Sequence, residues 1–158
     1  MITGIFQNAP IWVWPLLLVL IGVGVMSSRE RSTKSWVLYV LPVLGILAIN
    51  AVARLPAQNW IWGVFGLAYL CGAYGGFRFQ QRIVLDKSAG SVRLAGEWLT
   101  LLVLMVIFSM NFAAGMTADV SPDLYGSPNF HIVFACVEGL ASGSFLGRAL
   151  WVYRAPGT

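Results

Sequence analysis

The chain is poor in charge: Lys, Arg, Asp and Glu together make up 10% of its 158 residues, against roughly 25% in an ordinary soluble domain. It has one histidine and two cysteines. So little charge excludes the usual surface of a water-soluble domain. One histidine removes a bis-histidine haem, and no spacing of His, Cys, Asp or Glu suggests a metal, so neither a metal nor a cofactor is expected. Cys71 and Cys136 fall inside apolar runs, which argues against a structural disulfide and leaves them as small apolar packing residues. A Gly-rich phosphate loop and a nucleophile elbow are absent, so most familiar enzyme classes have no motif here. Lipidation and retention signals are absent as well. The net charge of +4 is not gathered into a basic tract, and no nucleic-acid partner is expected.

What is present is apolar sequence, 58% of the residues. A membrane-crossing helix needs about 20 predominantly apolar residues, and five runs, near 9–27, 36–53, 60–78, 97–117 and 129–152, meet that length. The expected fold is therefore a single all-α integral membrane domain over residues 1–158, a bundle of five transmembrane helices with the lipid bilayer as its first partner. The first run lacks a basic leader and a small-residue cleavage pattern, and it carries Trp12 and Trp14. It reads as a span, not a signal peptide.

Arg29, Arg31, Lys34, Arg78, Arg82, Lys87, Arg93, Arg148 and Arg154 fall on one side of such a bundle, and Arg54 alone departs. The positive-inside rule makes that side cytoplasmic, with the N-terminus out and the C-terminus in. Trp12, Trp14, Trp60 and Trp62 then mark the outer interface and Trp36, Trp98 and Trp151 the inner one, as amphipathic rings prefer. A multi-pass membrane location follows, with the basic side cytoplasmic.

Local signals fix several ends. Asn8 before Ala9-Pro10, and Ser127 before Pro128, suit an N-cap followed by proline in the first turn. Pro42 should kink the second run, since it has no N–H to donate. Between spans three and four, Ile83-Val84-Leu85-Asp86 and Ser91-Val92-Arg93-Leu94 flank a loop containing Gly90, the pattern of a short cytoplasmic β-hairpin.

An ionisable group inside a span is costly and marks a functional site by default. Glu138 is that group, about nine residues or roughly 13 Å into the fifth span. By the same ruler Asn50, Tyr69, Ser109 and Asn111 lie at roughly 9–14 Å from the outer side, so the outer half holds a polar layer. Amides and hydroxyls at that depth can supply donors to a buried carboxyl group; alternatively it stays protonated. Either way the layer is a ligand or proton site or polar glue between helices. Ser109 and Asn111 stand about 200° apart on a helix and cannot share one pocket. His131, seven residues before Glu138, lies on the same face about 10 Å higher.

Small residues recur every four positions, at Ala135, Gly139, Gly143 and Gly147 in the fifth span and at Ala68, Gly72 and Gly76 in the third. Such glycine-zipper rows allow close approach of helix backbones. Their partner is another span of the same chain, a second copy in a homo-oligomer, or a membrane protein.

Three passages carry a resemblance: Ala9-Pro10-Ile11-Trp12-Val13-Trp14; Asp86, then Gly90-Ser91-Val92-Arg93-Leu94-Ala95-Gly96-Glu97-Trp98-Leu99; and Gly139-Leu140-Ala141-Ser142-Gly143-Ser144-Phe145-Leu146-Gly147-Arg148-Ala149-Leu150. Together they resemble an uncharacterised family of small five-span bacterial inner-membrane proteins, a domain of unknown function. The resemblance implies location and fold and brings no activity, ligand or catalytic residue. Two functional expectations remain, with an embedded enzyme third. One is a protein that binds or passes a small ligand, ion or lipid through a polar pocket around Glu138. The other is an accessory subunit docking through its glycine faces.

Overall fold

In a computed structural model of the chain, residues 13–27, 31–34, 43–88, 91–94 and 98–154 are described. The elements run in the order α1 (Val13–Ser27), β1 (Arg31–Lys34), α2 (Leu44–Ala53), α3 (Ile61–Ile83), β2 (Val84–Ser88), β3 (Ser91–Leu94), α4 (Leu99–Val120), α5 (Pro122–Tyr125) and α6 (Pro128–Arg154). The Asn8 cap with Pro10, Trp12, Trp36, the Pro42 kink and the Gly90 loop lie outside the described residues.

The five-span bundle is corrected. Among the described residues two helices, α4 and α6, are long and apolar enough to cross a membrane. Of the second run, residues 43–53 are described, and they hold a helix of 10 residues. Of the first, 15 residues are described as helix. Helix α3 has the length, 23 residues, but Gly63, Gly66, Gly72, Gly75 and Gly76 dilute its apolar content, and Arg78, Gln80, Gln81 and Arg82 follow. The two-stranded hairpin is corrected too: β2 and β3 belong to a three-stranded antiparallel sheet of order β1-β3-β2. Arg31 pairs with Leu94 and Lys34 with Ser91 on one side of β3, while Ser88 pairs with Ser91 on the other.

Helix α4 stops before Pro122, which cannot continue its hydrogen-bond ladder, and the single turn α5 leads into α6. Ser127 caps α6, accepting the Phe130 N–H at 3.3 Å and donating to the Leu124 carbonyl at 2.7 Å. Tyr125 reaches from α5 to the Arg54 carbonyl beyond α2, 3.5 Å away, and supplies one of the donors that a helix C-terminus lacks.

The seam of the fold is α3 on α6. A Cβ at Gly139 would crowd Phe65 and Ala68, one at Gly143 would overlap the Tyr69 backbone, and one at Gly147 would overlap Ala73. From the other side, Cβ atoms at Gly72 and Gly76 would overlap the backbones of Leu140 and Ser144. Contact numbers rise together in both helices, so the two run parallel. Only the missing side chains allow backbones this close. Two apolar clusters flank the seam. Ala48, Val52, Phe65, Phe134 and Ala135 form one, and Val103, Leu104, Ala141 and Phe145 the other.

Candidate functional site

Glu138 lies on α6 between those clusters, after Phe134 and Ala135 and before Ala141 and Phe145. Its side chain is fully buried, with 0% exposure. Asn111 of α4 donates from Nδ2 to Glu138 Oε1 at 2.7 Å, and the same amide nitrogen donates to the Ile107 carbonyl at 2.9 Å. Both hydrogens of the amide are thus engaged, and the bond back to its own helix fixes the Asn111 rotamer. Among the described residues the second carboxyl oxygen, Oε2, finds no hydrogen-bond partner. One turn on, the Ser142 hydroxyl donates to the Glu138 backbone carbonyl.

Of the residues that depth alone grouped with Glu138, the fold brings Asn111 to it and not the others. Asn50 is exposed on α2. Tyr69 is half-buried, its ring 5.8 Å from that of Phe65, and its hydroxyl lies 3.4 Å from where a Cβ of Gly45 would stand. It points to α2. Ser109 is exposed and lines an open apolar groove of about 410 Å³ with Leu102, Met105, Val106, Met110 and Val137. His131 is buried at 3% exposure with Nε2 unpartnered, its ring edge-on to Phe130 at 6.4 Å. Cys71, expected to pack, is exposed.

A second polar cluster was not legible as a site. Arg148 of α6 is buried, and its Nε donates to Gln80 Oε1 of α3 at 3.0 Å while Nη1 donates to Thr100 Oγ1 of α4 at 2.8 Å. One guanidinium ties three helices together near the sheet. In the sequence Arg148 reads as one more marker of the basic side. The usable signal was its position six residues before the end of α6, still inside the helix.

A carboxyl group with one neutral donor and one free oxygen in an apolar surround has two stable states. It carries a proton on Oε2, or it is ionised with a cation beside it, because an unpaired buried charge is too costly to persist. Comparisons with protein-family models, curated proteins and solved structures find no match for this chain.

Proposed function

We propose that the chain is a multi-pass inner-membrane protein that binds a proton or small cation at Glu138 and passes it along the α4–α6 seam. The observation that carries this reading is the fully buried carboxyl group, held at Oε1 by Asn111 and unpartnered at Oε2. Were Glu138 only glue between helices, both oxygens would be expected to find donors, since each unmet polar atom in an apolar interior costs about 1–3 kcal/mol. The two helices that, among the described residues, are long and apolar enough to cross a membrane, α4 and α6, are those that meet at this bond.

The accessory-subunit reading loses its docking surface, because the rows of Gly72, Gly76, Gly139, Gly143 and Gly147 are covered within the chain. An embedded enzyme would need a second catalytic group within hydrogen-bond reach. His131 is two turns away, about 10 Å along the axis.

Dicyclohexylcarbodiimide, which adds to protonated carboxyl groups in apolar sites, tests the reading on the purified protein. The stable adduct should map to Glu138 by mass spectrometry and not to the exposed Asp119 and Asp123. Glu138→Gln should abolish the adduct, with unfolding shifted by no more than about 1 kcal/mol because the Asn111 bond to Oε1 is kept. An unlabelled Glu138, or labelling equal to that of the exposed aspartates, would reject it.

A further inference from the structure

The two ends of the helix pair α3 and α6 differ in chemistry. At the end where α4 turns through α5 into α6, the exposed Asp119 and Asp123 stand with one exposed cation, Arg54. At the other end α3 and α6 finish together, since a Cβ at Gly147 would overlap the backbones of Ala73 and Phe77. Arg78 and Arg82 of α3 and Arg154 of α6 are exposed there, and among the described residues no carboxylate pairs with them. Arg78 and Arg82, four residues apart, stand one turn above the other on a single helix face. Like charges so placed repel, which an anion between them relieves. The Arg148–Thr100 bond sets the start of α4 at this level. Trp98 there is 64% exposed, and Tyr153 of α6 is 75% exposed. Exposed aromatic rings beside arginines at the ends of spanning helices are the composition of a membrane–water interface.

The sheet belongs to the same end, for β2 continues α3 and β3 stops shortly before α4. The pairing of β1 with β3 brings Arg31 and Lys34 from a distant part of the chain into one sheet with Lys87 and Arg93, against one acidic residue, Asp86. Successive residues of a strand alternate between faces. By register Val84, Leu94 and Val92 share a face, with Arg31 on one edge strand and Lys87 on the other. Among the described residues the sheet's one extended contact with a helix is where β2 leaves α3. A small sheet with an apolar centre needs a further surface to lie on.

We propose that this end of the molecule, arginines and sheet together, is a docking surface for the anionic phospholipid headgroups of the cytoplasmic leaflet. This rests on the reading of the chain as a multi-pass membrane protein and not on what Glu138 binds. Charge complementarity selects the occupant. A soluble anion would pair with the arginines and leave Trp98, Tyr153 and the apolar centre of the sheet bare. A zwitterionic leaflet would cover the rings and leave the cations uncompensated. An anionic leaflet answers both.

Hydrogen exchange of the full chain in nanodiscs, of dioleoylphosphatidylcholine alone or mixed equally with dioleoylphosphatidylglycerol, tests this. The peptides carrying β2 and β3 should exchange at least about tenfold more slowly in the mixed discs, the effect of a few basic residues held at an anionic surface. Salt at about 1 M, which screens charges beyond about 3 Å, should remove most of the difference. Replacing Arg78, Arg82 and Arg154 together by Gln should reduce it severalfold, and so should Arg31→Gln with Lys87→Gln. Exchange like that of wild type in phosphatidylcholine discs would show that these variants are folded. Arg54→Gln, at the opposite end, should leave the difference intact. Equal exchange in the two kinds of disc, or a loss as large in Arg54→Gln as in the triple variant, would overturn the proposal. So would slowing by millimolar glycerol phosphate in phosphatidylcholine discs to the same extent, since the site would then serve soluble phosphate esters. A chain that does not enter the discs at all would remove the membrane reading itself, and the proposal with it.

Discussion

Gly143→Ala and Gly147→Ala are expected to destabilise the fold sharply, whereas Gly75→Ala, in the same helix pair, should leave it unchanged or slightly more stable. At Gly143 the new methyl group would overlap the Tyr69 backbone, and at Gly147 that of Ala73, while nothing lies within 4 Å of a Cβ at Gly75. A methyl group against backbone has no rotamer to escape into. The helices must separate, and contacts along the whole α3–α6 seam loosen. Overpacking costs about 1–3 kcal/mol, occasionally more, and a clash with backbone belongs at the upper end. For a domain of this size about 3 kcal/mol corresponds to a fall in Tm of roughly 6–12 °C. Gly75→Ala instead gains helix propensity, up to about 1 kcal/mol. Thermal unfolding in detergent would separate the three variants. Equal shifts in all of them would mean that the rows do not form the seam.

The spacing of those glycines was readable because close approach leaves a four-residue period in the sequence, and no other packing requires it. The identity of the facing helix was not readable, since the same period serves a partner in the chain or outside it. Depth placed Asn50, Tyr69 and Asn111 level with Glu138, yet Asn111 alone reaches the carboxyl group. A ruler along the helix axis gives height, and contact also needs the angle around the axis, which depends on packing. Apolar load revealed α4 and α6, but among the described residues it overcounted spans: α3 mixes glycine and polar residues into its apolar sequence. Strand β1 was invisible. Arg31-Ser32-Thr33-Lys34 has no alternation of apolar residues, and its pairing with β3 spans some sixty residues of chain that no local pattern records.

Arg148→Met should cost about 1–3 kcal/mol for each buried acceptor left unmet, although methionine keeps much of the apolar stem. Gln80 Oε1 and Thr100 Oγ1 would each lose a charged donor, and Gln80, fully buried, already has an unpartnered Nε2. In the variant both ends of that amide would be unmet. The sign of a second substitution therefore depends on the first. In wild type, Gln80→Leu should be destabilising, because it strips an acceptor from a buried guanidinium. In the Arg148→Met background it should be neutral or stabilising, because it removes an amide with nothing left to bond. The difference, read as a coupling free energy from unfolding of the four proteins in detergent, should be at least about 1.5 kcal/mol, the lower end for a hydrogen bond to a charged group. Additive effects would mean that the α3–α6 contact at the sheet end is held by apolar packing alone, with the Arg148–Gln80 bond contributing nothing to stability.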